Sequence, residues 1–348
     1  MSKERSSNFE LLRLLCIFGI LMMHTFGGID TSVSLFNMQI HVLVNSIFNM
    51  GVTCFILISG YFGIRFDLKK LIRLDLMIIF FTVLSTITFG NLGAKELIKS
   101  CIPVISRYYW FISCYFFLCI LTPFLNQIPK KLSKKSFQKL LTVLLLLFSI
   151  IPTFGFFEIM LDGGKGLVHM LMIYLLGRYL ALYHNRSHNV CHLLWGLVLS
   201  VGFIFLADSS LTFLRGKLYT TFCRDCSIFI IFGAVMVLLL FRELTFHSLF
   251  INRTAENVLA IYVLDGTVQT ILLKWFNFKP YAGSWFLVFF AIGYVLTIMI
   301  IAGLLNEARK ATIGRLEPLI VNWIYAVIMW GGNRIKPIAK RTIKYFLA

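Results

Sequence analysis

Residues 8–26 read NFELLRLLCIFGILMMHTF, a stretch apolar enough to cross a lipid bilayer that nevertheless carries Glu10, Arg13 and His24. Ionisable side chains at membrane depth are costly and usually face the interior of a helix bundle or a water-filled cavity. Arg13 and His24 are eleven residues apart. In an α-helix this spacing puts them within about 20° of one face and about 16 Å apart along the axis. The stretch therefore predicts a membrane helix with one functional face.

The composition of the whole chain agrees with a membrane protein. Of its 348 residues, 59% are hydrophobic and 14% are charged, and the mean hydropathy is +0.84. Soluble domains have roughly 25% charged residues. The net charge of +18 comes largely from Lys and Arg clustered between apolar runs, which indicates positive-inside topology rather than nucleic-acid binding. We predict a single multi-pass domain over residues 1–348, with a short basic tail at 306–348.

Ten apolar runs have about the length that a membrane helix needs, so the predicted fold is an all-α integral membrane protein with about ten transmembrane helices. A shorter run at 318–331 lies between basic flanks and predicts an interfacial helix. The ten runs lie near 9–28, 40–64, 74–90, 108–125, 139–157, 166–183, 192–207, 222–241, 256–274 and 284–305.

The distribution of Lys and Arg predicts the orientation of these helices. With a cytoplasmic N-terminus, the inside segments hold 23 basic residues and the outside segments hold nine, and Arg13 within the first span completes the 33. Basic residues concentrate in cytoplasmic loops. Both termini are therefore predicted to be cytoplasmic, which puts Arg13 in the inner half of the membrane and His24 near the outer surface.

Each polar residue of the first span also has a simpler interpretation. Ser7 and Glu10 have the spacing of a capping box, which would start the helix at Ser7 or Asn8. Arg13 could extend to the phosphates of the inner leaflet, and His24 could be a hydrogen-bonded histidine at the membrane surface. The shared face of Arg13 and His24 favours a functional constellation, and histidine can exchange a proton near neutral pH.

Five segments resemble, in the same order, motifs of the membrane-bound acyltransferase-3 family. The first is the Arg13-x10-His24 spacing, and the second is a span that ends in Ser-Gly-Tyr. A Trp-Phe…Pro-Phe-Leu-Asn segment, a Gly-Arg-Tyr span and an Ile-Tyr-Leu-like span follow. The last four read GVTCFILISGYF (51–62), YYWFISCYFFLCILTPFLN (108–126), YLLGRYL (174–180) and ENVLAIYVLD (256–265).

The resemblance implies transfer of an acyl group, usually acetyl from acetyl-CoA, to a hydroxyl of a surface or lipid-linked polysaccharide. The acyl-CoA donor would bind on the cytoplasmic side of a bacterial cytoplasmic membrane, and the glycan or lipid-linked sugar would bind on the outer side. Membrane lipids would surround the protein, and neither a metal nor a nucleic acid is implied. The chain departs from the family at Asp265, where the family often has His, and we assign Asp265 no catalytic role.

His24 is the predicted reacting residue. It would either remove the proton of a sugar hydroxyl as that hydroxyl attacks the thioester, or carry the acyl group itself; the sequence leaves both open. Arg13 is the second predicted catalytic residue, because its guanidinium offers fork-like donors for a CoA phosphate or the thioester.

Further candidates are assigned by charge and position. The phosphates of CoA need cations on the cytoplasmic side, and Arg65, Arg73 and Arg178 are the predicted donor-binding residues, although the first two could serve topology alone. Trp110 could stack on a sugar ring or belong to an aromatic belt. Asn49 could line the substrate cavity or hydrogen-bond a neighbouring helix.

A transporter or flippase of a lipid-linked glycan is the alternative function, because buried ionisable residues suit a transport pathway equally well. Transporters often contain paired repeats with interrupted spans, and the sequence shows no matched pair. Loss of glycan acetylation without loss of export would favour the acyltransferase.

Overall fold

The computed structural model describes residues 6–30, 34–90, 93–155, 157–184 and 187–330. These residues form helices joined by short connections, and they contain no β-strand. The prediction of an all-α fold is confirmed. In lipid, a helix satisfies its backbone hydrogen bonds within its own segment, so a chain of apolar runs folds in this way.

The helices follow the apolar runs closely. In chain order they are α1 (Ser7–Gly27), α2 (Leu35–Phe48), α3 (Met50–Phe62), α4 (Leu68–Thr88), α5 (Ala94–Cys101), α6 (Trp110–Leu125), α7 (Ile128–Lys131), α8 (Lys134–Leu145), α9 (Ile151–Gly155), α10 (Leu167–Tyr183), α11 (Val190–Arg215), α12 (Ile228–Glu243), α13 (Leu249–Ala255), α14 (Val258–Leu272), α15 (Phe286–Ala311) and α16 (Glu317–Trp330).

Among the described residues, seven helical segments are long and apolar enough to cross a membrane, which makes the chain a multi-pass membrane protein. Three predicted spans coincide with the shorter helices α10, α12 and α14, of 17, 16 and 15 residues. The count of ten spans and the cytoplasmic termini stay predictions. The seven segments are Ser7–Gly27, Leu35–Phe62, Leu68–Thr88, Trp110–Lys131, Lys134–Gly155, Val190–Arg215 and Phe286–Ala311.

The C-terminal part of the predicted tail is only partly described. The helix α16 covers the run at 318–331 except its last residue, and residues 331–348 lie outside the described part of the chain. Lys69 of α4 donates a hydrogen bond to Asn322 of α16 over 2.9 Å. The location of α16 at the membrane interface stays a prediction.

The helix α1 lies at the centre of the bundle and packs against α2, α3, α12, α13, α14 and α15. Two apolar clusters flank it. Its residues Leu12 and Cys16 belong to the cluster shared with α3, α10 and α12, whereas Leu21 and Phe26 belong to the cluster shared with α2, α14 and α15. Arg13 and His24 lie on the stripe between these two buried faces.

Glycines set the closest helix contact. At the crossing of α3 and α10, a Cβ on Gly60 would collide with the carbonyl oxygen of Tyr174, and a Cβ on Gly177 would lie 2.5 Å from the carbonyl oxygen of Leu57. Small residues let membrane helices approach this closely. Packing therefore accounts for the glycine of the Ser59-Gly60-Tyr61 motif.

Gly60→Ala is expected to lower the thermal stability of the purified protein in detergent, because overpacking a close contact costs about 1–3 kcal/mol. Gly202→Ala in α11 is the matched control, since a Cβ there meets no atom within 4 Å. Equal unfolding temperatures for the two variants would contradict this account of the crossing.

Candidate functional site

The N-terminal turn of α1 differs in detail from the prediction. The helix begins at Ser7, as expected, but Ser6 is the N-cap residue and makes no capping hydrogen bond through its side chain. The capping-box interpretation of Ser7 and Glu10 is wrong, because the Glu10 carboxylate pairs with Arg13 at an Nη1–Oε1 distance of 3.2 Å. The acid therefore neutralises and orients the guanidinium on the next turn of the helix.

Arg13 opens onto a cavity of about 310 Å³, here called the Arg13 cavity. The helix α1 contributes Arg13, Ile17 and Ile20 to its wall. These residues follow one another along the predicted stripe of α1. Most of the remaining wall is apolar or aromatic. The other lining residues are Val52, Phe55, Ser59, Leu74, Phe111, Tyr115, Ala255, Glu256, Val258, Leu259 and Tyr262.

His24 opens onto a second cavity of about 220 Å³, here called the His24 cavity. Its wall is more polar and contains side chains that can donate and accept hydrogen bonds. Both cavities lie along the same face of α1, as its spacing predicted. The His24 cavity is lined by Ile20, Met23, His24, Gly27, His41, Asn45, Asn49, Val52, Trp110, Lys165, Asp225 and Tyr262.

His24 is paired with an acid from another helix. Its Nδ1 lies 2.5 Å from Oδ2 of Asp265 on α14. The side chain of Asp265 is 5% exposed and that of His24 is 47% exposed, so the carboxylate is buried behind an accessible imidazole. The second carboxylate oxygen of Asp265 is buried without a hydrogen-bond partner.

The pairing determines what the imidazole can do. An ionised carboxylate only accepts hydrogen bonds, so Nδ1 carries the hydrogen of a neutral His24 and Nε2 keeps a lone pair. A buried acid holds the histidine of a Ser-His-Asp triad in the same tautomer and stabilises the imidazolium that forms. His24 and Asp265 thus form a proton-accepting pair.

Two loops complete the His24 cavity and are joined to each other. Arg224 forms an ion pair with Glu158 and donates a second hydrogen bond to the Pro152 carbonyl oxygen over 2.8 Å. The Cys226 amide donates to the Gly163 carbonyl oxygen over 3.1 Å. These contacts hold the loop before α10, which carries Lys165, against the loop before α12, which carries Asp225.

Asp225 contributes a buried carboxyl group to the cavity wall. It is 1% exposed, and its Oδ1 has no hydrogen-bond partner. Burial raises the pKa of Asp225 to about 7, against the opposing effect of the positive charge on Lys165. Asp225 therefore adds a buried carboxyl group to the wall of the His24 cavity.

The two predicted acceptor-binding residues both line the His24 cavity. Trp110 is the first residue of α6 and forms part of the cavity wall. Asn49, at the junction of α2 and α3, also lines the cavity and donates a hydrogen bond to the carbonyl oxygen of Cys223. Asn49 therefore lines the cavity and hydrogen-bonds a neighbouring loop rather than a neighbouring helix, and its role in substrate binding stays a prediction.

The three predicted donor-binding arginines lie apart from the walls of both cavities. Arg65 and Arg73 are exposed near the start of α4, and Arg73 directly precedes Leu74, which lines the Arg13 cavity. Nη1 of Arg178 lies 3.4 Å from the Gly60 carbonyl oxygen and donates to it at the end of α3. This contact gives Arg178 a helix-capping role, and its role in CoA binding stays a prediction.

Residues 6–305 match the family described as an acyltransferase domain. The chain belongs to the acyltransferase-3 family. The resemblance read from the ordered motifs is confirmed, and membership in an acyltransferase family favours acyl transfer over the transporter alternative. No curated protein and no solved structure matches the chain.

Sequence reasoning missed several site residues. Asp265 was set aside because the family often has His there, yet it is the partner of His24. Lys165 lies in the loop before α10, and Asp225 lies at the start of the run predicted over 222–241 but in the loop before α12, which begins at Ile228; only the folded chain brings them to α1. The sequence spacing does indicate where Tyr262 lies relative to Asp265. Tyr262 is three residues before Asp265, and one helical turn brings both to the same side of α14.

Arg224→Ala is expected to loosen the loop that carries Asp225. It removes charge-assisted hydrogen bonds worth about 1.5–3 kcal/mol each, so the amides of residues 216–227 should exchange with deuterium at least about tenfold faster. Arg215→Ala, at the exposed end of α11, is the control variant. Unchanged exchange in Arg224→Ala would show that the ion pair does not hold the loop.

Proposed function

We propose that the protein is an O-acetyltransferase, which transfers an acetyl group from acetyl-CoA to a hydroxyl of a cell-surface or lipid-linked polysaccharide. The observation that carries the proposal is the hydrogen-bonded pair of His24 and Asp265, whose histidine lines a polar cavity that adjoins a second cavity lined by Arg13. A proton acceptor and a cation are thus provided at two ends of one helix face.

The two cavities suit the two substrates. CoA is anionic, and Arg13, together with Arg65 and Arg73 near the start of α4, supplies positive charge for it, with Arg178 as a further donor-binding candidate. The mainly apolar Arg13 cavity fits the uncharged arm that carries the thioester. With the N-terminus in the cytoplasm of a bacterial cell, this cavity faces the cytosolic donor, and the His24 cavity faces the outer side of the cytoplasmic membrane.

The His24 cavity suits a sugar. An indole face stacks on the apolar face of a sugar ring, and Trp110 provides one. Asn49, Lys165 and Asp225 supply hydrogen-bond donors and acceptors for hydroxyl groups. A site built to hydrogen-bond a hydroxyl strongly discriminates against analogues that lack it, so these side chains would select among acceptors.

In the proposed reaction His24 is the general base. Nε2 takes the proton of the acceptor hydroxyl while that oxygen bonds to the thioester carbonyl carbon. The carbon–sulfur bond then breaks, and the imidazolium returns the proton to the departing thiolate of CoA. Asp265 holds Nδ1–H and stabilises the imidazolium by its negative charge. The alternative, a transient acyl group on Nε2, would use the same pair and would be detected as acylated His24 after acid quenching.

His24→Ala is expected to reduce acetyl transfer by about 10²–10⁴-fold, the usual contribution of a general base. Asp265→Asn should give a smaller loss, because the imidazole remains but loses the carboxylate that orients it and stabilises its positive charge. The measurement is release of CoA from acetyl-CoA by the purified protein, together with mass analysis of the O-acetyl content of surface glycans from cells that express each variant.

His192→Ala, at the exposed start of α11, is the control for loss of a histidine. It should leave both readouts at the wild-type level. Wild-type activity in a His24→Ala protein that accumulates normally would refute the assignment of His24. Loss of glycan export with normal acetylation in cells lacking the protein would support the transporter instead.

A further inference from the structure

The two cavities adjoin at a junction, which we define by the residues that line both of them. Three residues line both of them: Ile20 of α1, Val52 of α3 and Tyr262 of α14. Each comes from a different helix, so together they surround the junction from three directions. Ile20 lies between Arg13 and His24 on the functional stripe of α1, about 6 Å along the axis from His24.

The residues at this junction are closely packed. Ile20 is 4% exposed and Val52 is 9% exposed. Gly51 brings α3 close to α1, since a Cβ there would lie 3.1 Å from the Cys16 carbonyl oxygen and 3.3 Å from Cγ1 of Ile20. The ring of Tyr262 packs against Phe111, with their centroids 5.7 Å apart.

On the proposed function, a thioester that enters by the Arg13 cavity must bring its carbonyl carbon through this junction to reach His24. An unbranched acyl chain is no wider than the arm that follows it. An acyl group branched at the α-carbon is wider than this arm. The branched part is also the leading end, which reaches the junction first. The cavities themselves are less restrictive, because about 310 and 220 Å³ are many times the roughly 30 Å³ share of one water molecule.

We propose that Ile20, Val52 and Tyr262 select acyl groups by their width. They admit unbranched acyl groups and exclude acyl groups branched at the α-carbon. The proposal rests on the proposed acyl transfer and names the donor class that the site accepts. Length is limited less than width, because a longer unbranched chain meets the same opening.

The test compares acetyl-CoA, n-butyryl-CoA and isobutyryl-CoA as donors, the last two having equal numbers of atoms but different widths. Ile20→Ala should raise the rate of isobutyryl transfer relative to acetyl transfer at least about tenfold, the discrimination that a small change in pocket volume supplies. Ile20→Val should give a smaller rise. Val52→Ala widens the same junction from α3 and provides an independent variant should Ile20→Ala fail to accumulate.

Ile17→Ala is the matched control. Ile17 lies one turn earlier on the same stripe and lines the Arg13 cavity alone, so its truncation enlarges that cavity without widening the junction. The ratio of isobutyryl to acetyl transfer should stay at the wild-type value. An equal rise in Ile17→Ala would overturn the proposal and place the selectivity in the Arg13 cavity.

Three other outcomes are decisive. An unchanged ratio in Ile20→Ala and Val52→Ala, with acetyl transfer retained, overturns selection by width at the junction. An equal gain for n-butyryl and isobutyryl donors shows that length is selected rather than width and also overturns it. A wild-type protein that transfers none of the three acyl groups overturns the proposed function itself, which separates the two failures.

Discussion

The structure depends on the position of α1 between two apolar clusters. Leu12 and Cys16 are buried on one side and Leu21 and Phe26 on the other, so charged residues are tolerated only on the stripe between them. A charge in that position must be paired or face a cavity, because burying an unpaired ion in an apolar interior is prohibitively costly, and Glu10 and Asp265 pair with Arg13 and His24. Arg13 and His24 also each line a cavity along this one helix.

Much of this arrangement could be predicted from residues 8–26. The common face of Arg13 and His24 and the stripe between them follow from helical periodicity, and the ordered motifs indicate the family. The Asp265 partnership could not be predicted, since it joins residues 241 positions apart through the packing of α14 on α1. Glu10 was misinterpreted because a local capping pattern and an ion pair to Arg13 have nearly the same spacing.

The physical roles of the two ends differ. Arg13 forms an ion pair with Glu10 at the edge of a mainly apolar cavity. This arrangement suits a long anionic donor whose reactive end is uncharged. His24 has its Nδ1 occupied by Asp265 and its other edge exposed, which suits proton transfer to and from a hydroxyl. The joined loops add Lys165 and Asp225 to that polar end. The two ends of α1 thus differ in their chemistry because different side chains surround them.

The central claim is that an acyl group passes from a donor on one side of the membrane to an acceptor on the other. The direct measurement uses proteoliposomes of uniform orientation, with radiolabelled acetyl-CoA supplied only on the side of the protein's N-terminus and polysaccharide only on the opposite side. We predict acetylated polysaccharide in the wild type and none in His24→Ala. Transfer that requires donor and acceptor on the same side would contradict the account.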